Sequence, residues 1–233
     1  MIKLENYEVC GLEHAIRGMR NPWDSHEKSD SYATHIENPQ SLNTAEFEYF
    51  VGDADKELML KLANGGPVHA KYRRMIDVYV DITAPLYWWK EFDTYKVGTV
   101  ANSCSTMHTI AKKEFTVEDF SCEHLNLNNY GHLLETIDIL NEHRNSHNYL
   151  KSLNTLEGDR GAKNEWWQMI QLLPSSYNQK RTVKLNYEVL ANIYRWRKDH
   201  KLDEWHTFCE WIETLPHSDI ITLREGSYGV KEG

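Results

Sequence analysis

The chain lacks any long apolar run. Nowhere in its 233 residues does an uncharged hydrophobic stretch approach the roughly 18 residues that a membrane span needs. Met1–Gly18 lacks the charged-then-apolar order of a secretory leader, so the expected location is the cytoplasm. Cysteine is scarce: Cys10, Cys104, Cys122 and Cys209 are scattered without a C-x-x-C pair. That spacing predicts free thiols and argues against a disulfide framework. Cys122-Glu123-His124 has no second ligand pair at finger-like spacing, so no metal is expected. Positive charge is short too. A formal net charge of −9 excludes a broad nucleic-acid face but leaves room for a pocket with a few arginines around one nucleotide. Gly65-Gly66-Pro67 lacks the lysine and helix of a phosphate-binding loop and reads as a helix stop. There is no internal repeat.

What is present suits a globular protein. A hydrophobic share of 40% is ordinary for one, and the length suffices to bury a core. One domain over residues 1–225 is expected, with a disordered tail over 226–233. Eight tryptophans and thirteen tyrosines favour packed interfaces or stacking platforms for rings. The tandem pairs Trp88-Trp89 and Trp166-Trp167 read as packing anchors.

Periodicity places the elements. Met1–Cys10 reads as a strand and Glu13–Met19 as a short helix. Arg20 to Gln40 has no period and is expected to be a long loop. Short helices are expected within Thr44–Gly52 and over Asp55–Ala63. Met75–Ile82 is the clearest strand: Ile76, Val78, Val80 and Ile82 alternate with Asp77, Tyr79 and Asp81. Helix follows over Leu86–Phe92, then a loop or extended run over Asp93–Val100, then helix within Asn102–Lys113. Phe115–Val117 reads as a strand, with Thr116 and Asp119 spaced for an N-cap. Gly131–His143 is amphipathic, whereas Asn145–Asn164 is polar and expected to be a flexible connection. His143-Arg144-Asn145-Ser146-His147 is taken as the basic end of the first of these. Glu165–Leu173, Lys184–Arg197 and Asp203–Leu215 complete the helices.

The stretch from Leu172 to Trp205, LLPSSYNQKRTVKLNYEVLANIYRWRKDHKLDEW, organises the rest. From Lys184 onward, Leu185, Val189, Ile193 and Trp196 recur at helical steps, and Asn186, Asn192 and Arg197 lie on or beside that stripe. Two amides and a guanidinium on an inward edge need partners, because a buried unpaired polar group costs about 1–3 kcal/mol. Neighbouring backbone groups or a ligand would both serve.

The pattern here is Leu173-Pro174, Thr182, Asn186, Asn192, Arg197, His200 and Glu204. It resembles the C-terminal part of flavin-dependent thymidylate synthases (ThyX). The resemblance implies that Asn186 and Asn192 lie against the flavin and that Arg197 holds the pyrimidine of dUMP. The family usually carries an arginine two residues after the first asparagine; this chain has Glu188. The family's signature, R-H-R-x-x-S-x-N-x-x-S-x-R-Y, follows a strand and a short helix. In that context this chain has TYKVGTVANSCSTMH, where Asn102 and Ser105 match N-x-x-S. Tyr95-Lys96-Val97 stands at the basic triplet, Met107 replaces the last arginine and His108 the tyrosine. An arginine found upstream of Leu-Pro in the family falls near Ile170 and is absent. About half of the motif content is lost, which fits a divergent member.

The implied fold is α+β, a mixed sheet with helices packed around it, assembled as a homotetramer with active sites between subunits. The implied activity is methylation of a pyrimidine nucleotide, dUMP or a relative. FAD is the implied cofactor, with NADPH and methylenetetrahydrofolate as co-substrates. Arg197 would stabilise charge on the pyrimidine, Ser105 would touch the nucleotide and Lys96 would face its phosphate as a point charge. Asn102 would join Asn186 and Asn192 at the flavin. The plain alternatives are that Ser105 caps a helix and Lys96 is solvated. Two further readings stay open: a scaffold without catalysis that binds or sequesters a nucleotide or serves only as an interaction module, and the same flavin chemistry on a different base or nucleotide.

Overall fold

A computed structural model describes residues 2–36 and 46–223. In chain order its elements are β1 (Lys3–Cys10), α1 (Leu12–Arg20), β2 (Tyr32–Ile36), β3 (Glu46–Phe50), α2 (Asp53–Asn64) and β4 (Asp77–Pro85). There follow α3 (Leu86–Phe92), β5 (Val100–Ser103), α4 (Thr106–Thr109), α5 (Leu127–Ser152) and α6 (Leu156–Leu172). Last come β6 (Asn178–Asn186), α7 (Tyr187–Arg197), α8 (Asp203–Glu213) and α9 (Asp219–Thr222). The architecture is α+β.

The main sheet has the strand order β1-β4-β6-β5. Lys184 pairs with Asp77 at 2.6 Å and Lys180 with Asp81 at 3.1 Å. Rising numbers on β6 therefore meet falling numbers on β4. The sheet is antiparallel, not the mixed sheet of expectation. β4 behaves as its alternation requires: Val78, Val80 and Ile82 are buried and Tyr79 is exposed. A separate antiparallel pair joins β2 to β3, with Tyr32 opposite Phe50 and Ile36 opposite Glu46.

By its internal contacts the chain divides into two compact units. One is Met1–Glu5, Asp81–Thr94 and Ala101–Thr182; the other is Asn6–Val80, Tyr95–Val100 and Val183–Gly233. Each strand of the main sheet contributes residues to both. The first unit is built on the α5–α6 hairpin. Ile110, Phe115, Phe120, Leu133, Ile137, Leu140 and Met169 form its buried cluster, against which Trp166, Ile170 and Tyr177 pack. Trp88, Trp89 and Phe92 of α3 are also buried there, with Trp88 stacked on Phe92 at 5.0 Å. In the second unit Ile16, Met59, Leu190, Ile193, Trp205, Phe208 and Ile212 are fully buried.

Several expectations are corrected. Residues 145–164 are helical except at a short break: α5 runs on to Ser152 and α6 begins at Leu156, capped by the Thr155 hydroxyl on the Gly158 amide. His143 and His147 are thus inside α5, where His143 meets Glu165 at 2.6 Å and His147 meets the Ala162 carbonyl at 2.7 Å. The helix expected within Thr44–Gly52 is strand β3, whose EFEYF alternates with a period of two. Phe115–Val117 is not a strand; the chain turns through a 3-10 helix, and Asp119 accepts from the Thr116 amide at 3.0 Å. The segment after Arg20 is no simple loop. It holds two 3-10 turns and β2, while residues 37–40 lie outside the described residues, as do 224–233 with the expected tail.

That segment is organised by one buried carboxylate. Asp55 accepts from Arg20 Nε at 2.6 Å, from the Ser29 and Ser31 hydroxyls at 2.6 and 2.7 Å, and from the Asp30 and Ser31 amides. Arg20 in turn donates to the Ser25 and Lys28 carbonyls. A buried charge persists when it is paired and hydrogen-bonded in this way.

Candidate functional site

The organising helix starts three residues later than the Lys184 expected from its stripe. β6 extends through Asn186, and α7 begins at Tyr187. Asn186 is the N-cap, and its side-chain oxygen accepts from the Val189 amide at 3.1 Å. Its buried position on the stripe is therefore met by backbone, as the plainer reading holds. Trp196, expected on the same inward stripe, is 65% exposed. Glu188 has a fixed task. Arg73, 3% exposed, donates to it from Nε at 2.8 Å and Nη2 at 2.7 Å, and donates from Nη1 to the Ile220 carbonyl at 3.0 Å.

At the other end of α7, Arg197 is half-buried among aromatics. Its Nε donates to the Tyr95 hydroxyl at 2.8 Å. The guanidinium carbon lies 4.9 Å from the Trp205 ring centroid and 5.6 Å from that of Tyr95. The two rings meet edge-to-face at 6.1 Å, and the His200 ring lies 6.4 Å from Trp205. A guanidinium over such faces gains about 0.5–2 kcal/mol as desolvation increases.

The segment Tyr95–Val100 runs between these two ends. Tyr95 meets Arg197 at the C-terminal end of α7. Gly98, at φ +83°, presses on its N-terminal turn: a Cβ there would lie 3.0 Å from Asn186 Nδ2 and 3.1 Å from Val189 Cγ2. Only glycine combines that left-handed backbone with so close an approach. Lys96 is exposed on this segment and Asn192 is exposed on α7. The next residue after Gly98, Thr99, has a buried hydroxyl without a hydrogen-bond partner.

Ser105 and Asn102 belong to the other unit. Asn102 is exposed on β5. Ser105 occupies the N-cap position of α4, yet its hydroxyl makes no cap hydrogen bond. It is half-buried at a turn held by Gln179, which donates to the Cys104 carbonyl at 3.0 Å and the Thr106 hydroxyl at 3.3 Å. Gln179 also accepts from Arg181, whose guanidinium covers Trp89 at 4.1 Å and donates to Asp93 at 2.7 Å. Thr182 of the family-like pattern donates to Asp81 at 2.6 Å.

Of the six residues singled out, Lys96, Asn186, Asn192 and Arg197 fall in one unit and Asn102 and Ser105 in the other. Within the first, one segment joins Arg197 and Asn186, while Lys96 and Asn192 are solvent-facing. Sequence reading missed Tyr95, Gly98, Thr99 and Trp205. A glycine in an otherwise bulky run, TYKVGTV, was the available signal for the close approach.

Flavin can be tested against these residues. Asn186 keeps Nδ2 as a donor once its oxygen is used as the cap, and the orphaned Thr99 hydroxyl lies one residue from the Gly98 contact. Both fit the polar edge of a ring that accepts and donates hydrogen bonds.

The whole fold is shared with solved structures. Flavin-dependent thymidylate synthase ThyX of Helicobacter pylori, complexed with FAD and dUMP, matches with a TM-score of 0.58 at 16% identity. The match covers 96% of this chain and 97% of that one. The UMP/dUMP methylase PolB of Streptomyces cacaoi, bound with 5-Br UMP, matches with a TM-score of 0.54 at 11% identity, over 96% of this chain and 94% of that one. No protein-family model and no curated protein matches the sequence.

Proposed function

We propose, from the fold shared with these nucleotide methylases, that this chain binds a pyrimidine nucleotide and methylates it with FAD and a folate carbon donor. The observation that carries the proposal is Arg197, set half-buried at the end of α7 with its guanidinium plane fixed by Tyr95 and Trp205. A donor group held in a partly water-excluded aromatic corner stabilises negative charge on a pyrimidine carbonyl more than a mobile one does. Asn186, through Nδ2, and Thr99 would hold the flavin edge; Asn102 and Asn192 would face it from exposed positions. FAD held there would supply hydride chemistry, with NADPH as the source of reducing equivalents and methylenetetrahydrofolate as the carbon donor. Ser105 would touch the nucleotide with the hydroxyl that caps nothing, and Lys96 would offer its phosphate a point charge. The assembly proposed is a homotetramer in the cytoplasm.

A second reading keeps the nucleotide and drops the chemistry. It is favoured by Glu188, committed to Arg73 where the resemblance expects an arginine, and by exposed Met107. Removal of charge-assisted phosphate contacts weakens nucleotide binding. The deciding experiment pairs an absorbance spectrum of protein mixed with FAD with titrations of dUMP and UMP into wild type and Arg197→Ala. Flavin binding together with nucleotide binding that Arg197→Ala abolishes supports the methylase. Nucleotide binding by colourless protein selects the second reading. Unchanged affinity in a folded Arg197→Ala variant removes Arg197 from the site.

A further inference from the structure

We propose that Tyr95 is the positioning residue for Arg197; the inference rests on the nucleotide reading above. Arginine brings a long stem and many rotamers, and a binding group that must be ordered on association gives up part of its affinity. Here the ordering is built in. The Tyr95 hydroxyl takes the Nε hydrogen at 2.8 Å, and Trp205, itself fully buried, lies under the guanidinium at 4.9 Å. Two contacts at different atoms and directions fix both the position of the guanidinium and the tilt of its plane. One contact alone would leave rotation about the other.

The anchor is itself anchored. Tyr95 is three residues from Gly98, where an added Cβ would come within 3.0 Å of Asn186 Nδ2 and 3.1 Å of Val189 Cγ2. Its ring also meets the edge of Trp205 at 6.1 Å. The phenol is therefore braced on its ring side by tryptophan. A single segment thus couples the cap at the start of α7 to the guanidinium at its end.

Tyr95→Phe tests this, since it keeps the ring and removes only the acceptor. The Arg197 Nε–H is followed by NMR and identified by its loss in Arg197→Lys. Its proton exchange is expected to rise about tenfold in Tyr95→Phe, the hydrogen bond having gone. Unchanged exchange overturns the proposal. In parallel, dUMP and UMP are titrated into wild type, Tyr95→Phe, Arg197→Lys and the double variant. Tyr95→Phe is expected to weaken nucleotide binding about threefold to tenfold, the cost of ordering one rotamer-rich side chain. On the Arg197→Lys background it should have no further effect. Additive losses would mean that Tyr95 acts on its own, and would overturn the positioning role. If wild type binds neither nucleotide, the functional reading fails, and the exchange rate alone then decides for or against the clamp.

Discussion

Arg73 places two donors on a single oxygen of Glu188, at 2.8 and 2.7 Å. The arginine side chain is 4% exposed and the glutamate 21%. Glu188 is one of the residues at which this chain departs from the family pattern it resembles, and this departure has a structural partner. Removing one member of such a pair leaves an uncompensated charge in the interior. Glu188→Gln is expected to cost about 2 kcal/mol, discounted for the exposed carboxylate, read as a lowered urea midpoint. Glu188→Arg, which restores the family residue, should be worse because it sets two guanidinium groups together. Equal midpoints for wild type and Glu188→Gln would discard the pair as a stabilising contact.

The cap made by Asn186 and the flavin contact proposed for it can be separated. Asn186→Ala removes the oxygen that accepts from Val189 and should cost about 1 kcal/mol. Asn186→Asp keeps a capping oxygen and loses the Nδ2 donor. It should retain the melting temperature and lose FAD affinity; full FAD binding in this variant would take the amide out of the flavin site.

Gly98 lies close against the start of α7, three residues along from Tyr95. Gly98→Ala must adopt φ +83° and displace Asn186 or Val189. A cost of about 1–3 kcal/mol is expected. Thermal melts check the stability, and the Arg197 Nε–H exchange should rise with the loss. A melting temperature equal to wild type would show that the segment has room after all.

Asp55 gives the chain an acid limit. Burial pushes its carboxyl up, but the Ser29 and Ser31 hydroxyls and Arg20 outweigh that and hold it below the ordinary value. The unfolded chain therefore binds more protons in acid than the folded one. Stability contributed by Asp55 is complete above about pH 4, the unperturbed carboxyl range, and is lost as pH falls through the lowered folded value. Asp55→Asn should be less stable than wild type near neutrality, with the gap closing below about pH 4. Parallel curves from thermal melts across that range would contradict the assignment.

The sheet and the site were not equally legible. β4 announces itself because both of its periodic faces are used, apolar side chains inward and aspartates toward the lysines of β6. The start of α7 was misread because Leu185 is buried in a strand and also fits a helical stripe. Asn186, followed by Glu188, carried the cap signal that resolves the ambiguity. Residues 145–164 look like a linker by polarity, yet their polar side chains are largely the exposed face of a helical hairpin, and Thr155 with Glu157 and Asp159 marks its second start. Arg197 was found through a pattern. Its aromatic seat was not, since Tyr95 lies 102 residues away in the chain.

The strand order has a consequence for the chain as it is made. β4 is flanked in the sheet by β1, synthesised long before it, and by β6, which follows it by about a hundred residues. At about 5–20 residues per second, the ribosome leaves one edge of β4 bare for roughly 5–20 s. During that interval its unpaired amides and carbonyls and its inward valines are open to the same strand on a neighbouring polysome. The strand order therefore builds in a lag during which this edge is an aggregation hazard that the finished sheet no longer presents.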